Sequence, residues 1–308
     1  MPSVGERIRT MCEELGPTFV KLGQILSTRT DIVTENVAQQ LQKLQDSVQP
    51  FSYEEARSVI ESELGDSIER LFERFDPVPV ASASVSQVYR AKMFSGPDIA
   101  VKVQRPHIRE NIETDLGILE KLARLVDKYS KYGQLYDFSG MVAEFRRVME
   151  QEIDFTKEGE NTDLFRESIA KQRNIRVPKI HWVYTTKKIL TMDYVDGVKI
   201  NDIPALTAQG ADTTQLAYDF TNSLITQILQ NGVFHADPHP GNVFVADGRY
   251  VEFIDLGMVG TINSRFRRCL NDFVLGIATR NTQKIAQSIT EMDAADADVN
   301  MDSFGKSL

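Results

Sequence analysis

The fold is decided by one stretch, residues 235–255, which reads HADPHPGNVFVADGRYVEFID. The Asp-Gly pair at 247–248 separates two apolar runs and predicts a β-hairpin with a two-residue turn. Counting outward from that turn places Asn242 opposite Phe253. Side chains two residues apart on a strand share a face, so Asp255 is expected to point the same way as Asn242. An amide and a carboxylate therefore meet at one rim, with Asp237 on the loop that leads in.

The spacing of these polar residues matches the chemistry of phosphoryl transfer. Asp237 precedes Asn242 by five residues, as in the protein-kinase loop H-R-D-x-x-x-x-N, and Asp255-Leu256-Gly257 stands where that fold places D-F-G. There the loop Asp orients or deprotonates the attacking group, while the Asn and the second Asp hold Mg²⁺ on the phosphates. We predict that Asp237 is catalytic and that Asn242 and Asp255 bind the metal. Any one of them is equally typical of a turn, so the combination carries the prediction.

Upstream segments supply further kinase-like parts in the expected order. Residues 100–103, AVKV, read as a strand on which Lys102 faces away from its two valine neighbours. Glu158, in a helical run that begins near Thr156, is a candidate partner that would hold Lys102 at the phosphates. The strand up to Val195 resembles the segment before a kinase hinge, where the backbone of Asp193 and Val195 would meet adenine. A plain buried strand is an equally good interpretation of that run.

The glycine-rich loop of ordinary kinases is missing. Residues 80–88, VASASVSQV, stand before Lys102 and contain no glycine. Ala and Ser restrict the backbone where glycine would allow close approach to phosphate. We therefore expect a stiffer loop of different shape.

The order of patterns along the chain predicts an α+β protein with a protein-kinase-like two-lobe fold. An N-terminal helical extension over 1–75 carries an apolar stripe that comprises Leu15, Phe19, Leu22 and Leu26. A kinase-like N-lobe with a small antiparallel sheet and inserted helices is expected over 76–195. A mainly helical C-lobe is expected over 196–308. Few residues follow Gly257 and they include no A-P-E, which predicts that this lobe is shortened.

Composition narrows the classes of function. The 35 Lys and Arg are outnumbered by 44 Asp and Glu, giving a net charge of −9, which argues against a nucleic-acid binder. Two cysteines exclude a disulfide scaffold and a four-cysteine zinc site. Residues 1–10 lack the apolar core of a secretory signal, and no run approaches about 18 apolar residues. These features predict a soluble, cytoplasmic chain.

Four motifs carry a resemblance that spans essentially the whole chain. Residues 21–24 look like a K-x-G-Q signature, 81–84 like an alanine-rich loop, 152–154 like an E-x-D motif, and 235–242 like the associated catalytic loop. With these motifs the sequence closely resembles the UbiB-like atypical kinases, which are linked to isoprenoid-quinone biosynthesis. Departures from the pattern are Ser82 for a second Ala, Gly159 after Glu158, and Asp193 for a hinge Glu. They remove no charged catalytic part.

The resemblance implies a set of roles and ligands. ATP or ADP with Mg²⁺ would be the cofactor, with Lys102 and Glu158 as the phosphate-positioning pair and Asp237 as the catalytic carboxylate. Nucleotide contacts would also come from the loop Ala81, Ser82, Ala83 and Ser84. Periodicity places Lys21 and Gln24 towards solvent, whereas the resemblance implies that they point into the nucleotide cleft and cover the groove where a kinase lays its peptide. The second substrate would be a small molecule or lipid such as a quinone precursor, with membrane contact or a C-terminal anchor in the native protein.

The residues are also compatible with two other functions. His235, Asp237 and His239 would suit a transition-metal phosphohydrolase, because imidazole and carboxylate are good ligands for such ions. A non-catalytic, nucleotide-gated lipid-binding scaffold would bind nucleotide without turnover.

Overall fold

The fold is described from a computed structural model over residues 2–29, 32–44, 50–130 and 136–296. The chain divides into two compact units. In the described part, the first unit comprises the chain up to Thr156 together with His181–Met192, and the second comprises Lys157–Ile180 and the chain from Asp193 onwards. The three-part division at residues 75 and 195 remains a prediction.

In chain order, the helices are α1 Val4–Leu15, α2 Pro17–Ser27, α3 Glu35–Leu41, α4 Tyr53–Leu64, α5 Ile68–Leu71, α6 Ile108–Tyr129, α7 Phe138–Glu152, α8 Phe155–Ser168, α9 Ile203–Ala208, α10 Thr213–Thr226, α11 Ser264–Ala278 and α12 Thr282–Asp296. The strands are β1 Arg74–Phe75, β2 Ala81–Ser82, β3 Ser86–Lys92, β4 Asp98–Gln104, β5 Ile175–Arg176, β6 Ile189–Asp193, β7 Gly197–Lys199, β8 Val233–His235, β9 Val243–Ala246, β10 Tyr250–Phe253 and β11 Val259–Thr261. The predicted α+β class is confirmed. Among the described helices, none combines the length and the apolar character needed to span a bilayer.

The first three helices pack around their own small core. Val20 of α2 is buried against Val37 and Leu41 of α3 and against Leu44. The chain breaks between α1 and α2 at Gly16, whose φ is +101°, and Pro17 then begins α2, where the fixed φ of proline suits a first helical position.

The predicted stripe of Leu15, Phe19, Leu22 and Leu26 is wrong as the buried face of this segment. Leu15 is 53% exposed, and the residues that α2 buries are Thr18, Val20, Gly23 and Ser27. The prediction assumed one continuous helix, whereas the break at Gly16 rotates the second helix relative to the first. Leu26 alone of the four packs against the core of this segment.

The first unit also contains a five-stranded sheet, in the order β1-β3-β4-β6 with β2 paired to β3. The β3–β4 hairpin is antiparallel and pairs Lys92 with Asp98 on either side of the connection at residues 93–97. Alternation along β4 buries Ile99, Val101 and Val103 completely. Helices α4 and α5 cover this apolar face, with Ala56 and Ile60 in the same core.

The second unit is built on the sheet β5-β10-β9-β7, with a separate β8–β11 pair. Its core contains, from α8, α10 and the strands, Phe165, Leu216, Val243, Val245, Val251 and Phe253. The hairpin predicted at Asp247-Gly248 is present, but its register is not the predicted one. Tyr250 pairs with Ala246 and Phe253 with Val243, so the turn has three residues.

Arg249 joins the turn because its N–H donates to the Ala246 carbonyl at 3.1 Å. Asp247 and Gly248 both have positive φ, +52° and +67°. One extra turn residue shifts every pair by one position, so Phe253 does not oppose Asn242. The same-face argument for Asn242 and Asp255 is therefore wrong as it was derived.

Candidate active site

Two chain segments of the second unit meet at the predicted catalytic loop. The strands β8 and β11 pair with His235 opposite Val259. Beyond the pair, the Ala236 N–H donates to the Met258 carbonyl at 3.0 Å, and the Ile254 N–H donates to the Asn242 carbonyl at 3.1 Å. These bonds fix the segment that carries Asp237 and Asn242 beside the one that carries Asp255. The backbone segments come together although the predicted hairpin register was wrong, because the Ile254 N–H bonds directly to the Asn242 carbonyl.

The polar side chains of these segments contact backbone groups that are close to them in sequence. Asn242 Nδ2 lies 3.4 Å from the Asp237 carbonyl oxygen. Asp255 Oδ1 accepts the Gly257 N–H at 3.0 Å, which orients the carboxylate within its own turn. Asp237 is exposed, while Asn242 and Asp255 are half-buried. Two carboxylates and one amide give this region the oxygen-donor chemistry that Mg²⁺ prefers.

His235 has a structural role beneath the loop. It is 3% exposed, and its Nδ1 accepts the Asp237 N–H at 3.2 Å. Its ring lies edge-on to Phe165 and 5.3 Å from the Phe253 ring centroid. Burial lowers the pKa of His235, against the opposing effect of the Asp255 and Asp237 carboxylates. The imidazole is therefore neutral at neutral pH and positions the backbone of Asp237.

This arrangement does not favour the phosphohydrolase alternative. His235 is enclosed in the core, and His239 Nδ1 accepts the Gly241 N–H at 3.0 Å. Within the described ranges no three His, Cys, Asp or Glu side chains are grouped so that they could hold a metal ion.

Gln227 is a supporting residue that the sequence analysis did not identify. It is fully buried and begins the π-helical turn Gln227–Asn231 that ends α10. Its Oε1 accepts the His235 N–H at 3.1 Å, and its Nε2 donates to Ser223 Oγ at 3.0 Å. Turns of this type are frequent at functional sites. A polar residue at a core-facing position of an apolar helix was the signal that could have revealed it.

Asn161 is a second such residue. It lies on α8, and its Nδ2 donates to the carbonyls of Leu256 and Gly257 at 3.2 and 3.3 Å. The same helix carries Glu158, which is 8% exposed. The turn that contains Asp255 is thereby tied to the helix that contains the predicted phosphate-positioning Glu.

In the first unit, the alanine-rich loop comprises β2 and the bend that leads into β3, and one side chain clamps it. Ala81 and Ser82 pair with β3, and the Ala83 N–H donates to the Ser86 carbonyl at 2.8 Å. Ser84 is buried. The loop thus has one hydrogen bond of its own, and its expected stiffness stays a prediction.

Arg105 provides that clamp and was not identified from the sequence. Its Nε donates to the Ser84 carbonyl at 3.2 Å and its Nη2 to the Ala83 carbonyl at 3.4 Å. Its backbone N–H donates to the Val85 carbonyl at 2.8 Å. Burial lowers the pKa of Arg105, and the guanidinium lies 5.2 Å from the Phe51 ring centroid. One side chain therefore holds two consecutive carbonyls of the loop.

The lysines of the first unit have protein neighbours. Lys102 lies on the side of β4 opposite to the buried valines, as predicted, with Nζ 5.2 Å from the Phe155 ring centroid. Lys21 Nζ forms an ion pair with Glu152 Oε1 at 2.9 Å, and Gln24 Nε2 donates to the Leu44 carbonyl at 2.7 Å. The solvent-facing orientation expected from periodicity is wrong for Lys21, whose side chain is 19% exposed.

These contacts connect two of the motifs. The Lys21–Glu152 pair joins the K-x-G-Q segment to the E-x-D segment, and Asp154 accepts the Thr156 N–H at 3.2 Å near the start of α8. Lys102 belongs to the first unit and Glu158 to the second, and their pairing stays a prediction. The nucleotide roles of Lys21 and Gln24 stay predictions as well.

The segment predicted as a hinge borders an open cavity in the second unit. The Asp193 N–H donates to the Lys179 carbonyl at 3.0 Å. The cavity has a volume of about 650 Å³, and its lining includes Asp193, Val195, Arg176 and Glu252. Whether adenine meets Asp193 and Val195 stays a prediction.

Comparison with known proteins agrees with a protein-kinase-like class. Residues 43–289 match the ABC1 atypical kinase-like domain. The chain belongs to this family.

Several relatives share a similar level of identity. The chain is 40% identical over 288 residues to the uncharacterized protein sll1770 of Synechocystis, covering 93% of this chain and 49% of the relative. It is 42% identical over 283 residues to the chloroplastic ACTIVITY OF BC1 COMPLEX KINASE 8 of Arabidopsis thaliana, covering 90% and 37%. It is 40% identical over 290 residues to a probable protein kinase UbiB of Marinobacter nauticus, covering 92% and 53%. The chain thus spans about half the length of these relatives or less.

A solved structure is also similar. Rv3197 of Mycobacterium tuberculosis, determined in complex with erythromycin, superposes with a TM-score of 0.64 at 25% identity, over 87% of this chain and 67% of that chain. The similarity confirms the kinase-like fold expected from the sequence.

Proposed function

We propose that this chain is a Mg²⁺-nucleotide-dependent atypical kinase or ATPase that supports the synthesis of isoprenoid-quinone lipids. The observation that carries the proposal is the pair of backbone bonds, Ala236 to Met258 and Ile254 to Asn242, that holds Asp237 and Asn242 beside the Asp255 turn. Phosphoryl transfer depends chiefly on positioning and on stabilising charge. Two hydrogen-bonded segments that carry these three oxygen-bearing side chains suit that task.

Each predicted residue has one role in the proposal. Asn242 and Asp255 would hold Mg²⁺, which neutralises charge on the phosphates when bound. Asp237, exposed at the loop, would orient or deprotonate the acceptor. Lys102 and Glu158 would position the phosphates.

The remaining contacts concern nucleotide binding and the second substrate. The alanine-rich loop 81–84 would contact the nucleotide from the first unit. The quinone link rests on resemblance, and family members with the name of probable protein kinase support phosphoryl transfer. We favour a small or lipid-like acceptor over a protein, because a K-x-G-Q segment that covers the cleft would keep a peptide from the γ-phosphate.

The first test compares Asp255→Asn with Asp237→Asn. Asp255→Asn removes an anionic metal ligand at nearly constant volume, so we expect it to lose the stabilisation by Mg²⁺-ATP, which is about 2.7 kcal/mol at one hundred times the dissociation constant. Asp237→Asn is expected to retain most of that stabilisation and to lose phosphate release. Thermal unfolding with and without Mg²⁺-ATP, beside a phosphate-release assay, measures both.

The matched control is Asp247→Asn, the same chemical change at the far end of the hairpin. Asp247 is exposed with φ +52°, a conformation that Asn tolerates. It should leave binding and turnover unchanged. An unchanged ligand-induced shift in Asp255→Asn would refute the metal assignment, and nucleotide stabilisation without turnover in the unmodified chain would favour the scaffold function.

A further inference from the structure

The second unit contains a cavity that the catalytic loop does not line. Its volume of about 650 Å³ is in the range of pockets that bind small molecules. Its walls come from the end of α8, from residues 175–178, from residues 193–195 and from β10. Asp237, Asn242 and Asp255 are not among the residues that line it. The cavity is therefore a separate feature from that loop.

One wall of the cavity is apolar. It is formed by Ile169, Ile175, Val177, Pro178 and Val195. Ile169 and Ile175 belong to the core of the second unit, so packing holds this wall in place. A ligand with an apolar body would remove the wall from water, and that burial is a main source of affinity in pockets of this kind.

Glu252 adds a carboxylate to the lining at a position shielded from solvent. Its side chain is 12% exposed, because β10 is an inner strand between β5 and β9. Burial raises the pKa of Glu252 in spite of the nearby Arg176. A buried carboxylate needs a cation or several hydrogen bonds to offset its desolvation. The raised pKa therefore indicates that the charge of Glu252 is only partly compensated.

Arg176 is the nearest cation to Glu252, but its guanidinium is shared among three groups. The two residues are partners in the parallel β5–β10 pair, and Arg176 Nη1 lies 3.6 Å from Glu252 Oε1, which is longer than a normal hydrogen bond. The same Nη1 lies 3.7 Å from Asp247 Oδ2. The guanidinium carbon lies 3.3 Å from the Tyr250 ring centroid. Arg176 therefore offsets the charge of Glu252 only in part.

The other charged residues of the lining leave an excess of carboxylates. Glu167 and Asp193 line the cavity together with Glu252. The second arginine of the lining, Arg166, donates from Nη2 to Asp163 at 2.7 Å, and Asp163 is outside the lining. Three carboxylates thus share the cavity with two arginines, one of which is paired with a carboxylate elsewhere. The cavity combines an apolar wall with uncompensated negative charge.

We propose that this cavity binds an organic amine, with the ammonium group at Glu252 and the apolar body against the apolar wall. An ammonium group has three N–H donors and supplies the positive charge that Arg176 provides only in part. An anionic ligand would add to the excess of negative charge, and a neutral ligand would leave Glu252 uncompensated. A bare metal ion would leave the apolar wall in water. The inference does not rest on the proposed nucleotide function.

Three probes with the same apolar body and different charge test the proposal: hexylamine, hexanol and hexanoate. Ligand-observed NMR titration of the purified chain at about pH 7, where an alkylamine is protonated, measures their dissociation constants. We expect hexylamine to bind about tenfold more tightly than hexanol, because its ammonium group forms a charge-assisted hydrogen bond with Glu252. Hexanoate should bind more weakly than hexanol.

Two variants locate the site. Glu252→Gln keeps the side-chain volume and removes the charge, so it should weaken hexylamine binding by about tenfold and leave hexanol binding unchanged. The matched control Glu160→Gln makes the same change at an exposed residue of α8 and should bind both probes as the unmodified chain does. Ala170 is an exposed residue of the lining. Ala170→Phe fills the cavity without changing its charge and should abolish the binding of both probes.

Three results would overturn the proposal. The first is equal affinity of the unmodified chain for hexylamine and hexanol, including the absence of binding by either. The second is equal hexylamine binding by the unmodified chain and by Glu252→Gln. The third is competitive displacement of hexylamine by Mg²⁺-ATP, because the cavity would then belong to the nucleotide site through Asp193 and Val195. We expect hexylamine to stay bound when Mg²⁺-ATP is added.

Discussion

Ordinary kinases shape the loop before the strand lysine with glycines. In this chain, contacts from the Arg105 side chain hold the corresponding loop. Arg105 holds the carbonyls of Ala83 and Ser84 from a partly buried position. Because the loop contains no glycine, its shape depends on such external contacts. The loop can be recognised in the sequence. Its contact with Arg105 cannot, because that contact depends on the folded chain bringing the end of β4 next to the loop.

We therefore predict that Arg105→Gln weakens nucleotide binding. Loss of two charge-assisted hydrogen bonds to the loop costs about 1.5–3 kcal/mol each when the bonds are good, and part of that should appear as roughly tenfold weaker binding of ATP and ADP. Calorimetric titration of both nucleotides measures the effect. Arg109→Gln, at an exposed residue of α6, is the control and should bind normally. Identical titrations of the two variants would show that the clamp does not act on the nucleotide.

Glu252 gives a pH-dependent prediction. Burial raises the pKa of Glu252 although Arg176 Nη1 lies 3.6 Å away and opposes the shift. A carboxyl with a raised pKa in the folded state favours folding below its unfolded pKa of about 4.3, and this stability is lost as the pH rises through the folded pKa. Glu252→Gln keeps the neutral form at every pH. Its free energy of unfolding should exceed that of the unmodified chain at about pH 7, and the excess should shrink towards about pH 4.

Urea unfolding of both proteins across this pH range measures the difference. A difference that stays constant with pH would mean that the Arg176 contact compensates fully for burial. A difference of opposite sign at neutral pH would mean that this ion pair stabilises the unit.

Among the elements, the N-terminal helices depend on close approach at Gly23. A Cβ at this position would lie 2.4 Å from Leu44 Cδ1 and 3.3 Å from Leu41 Cδ2. The glycine of the K-x-G-Q segment therefore has a packing role. It lets α2 contact the end of the α3 segment, where Gln24 also bonds to the Leu44 carbonyl.

We predict opposite effects for two glycine substitutions in helices. Gly23→Ala should destabilise the chain by about 1–3 kcal/mol, because the core must shift to accept the methyl group. Gly117→Ala, in the middle of α6 with no atom within 4 Å of the added Cβ, should stabilise it by up to about 1 kcal/mol through helix propensity. Chemical unfolding measures both. Equal stabilisation by the two changes would contradict the packing role of Gly23.

For the whole molecule, the main prediction concerns the class of acceptor. The K-x-G-Q helix is anchored by the Lys21–Glu152 ion pair and by the Gln24–Leu44 bond. If this segment covers the cleft, as the family resemblance implies, a peptide cannot reach the γ-phosphate in line with Asp237. We expect slow ATP hydrolysis and no efficient labelling of unstructured proteins. Radiolabelled transfer to a panel of such proteins, beside an ATPase assay, measures this. Robust labelling that depends on Asp237 would identify an ordinary protein kinase.

Much of the architecture was predictable because it depends on local patterns. The antiparallel sheet of the first unit and the position of Lys102 away from the core follow from the alternation of apolar residues. The spacing of Asp237, Asn242 and Asp255 indicated kinase-like chemistry, and four motifs indicated the family, before any contact was known. The residues that form each of these patterns are close together in the chain, so they are also close together in the folded structure.

Other features were decided only by tertiary structure. The three-residue turn at 247–249 changed the hairpin register, yet the backbone bonds of Ala236 and Ile254 still hold the two segments together. The Arg105–Ser84, Gln227–His235, Asn161–Leu256 and Lys21–Glu152 contacts join residues that lie from 8 to 131 positions apart. Such partners are set by how elements pack, because a polar side chain in a core must find a hydrogen-bond partner wherever the fold supplies one. The sequence alone therefore determined the elements and the family, and packing determined which side chains support the site.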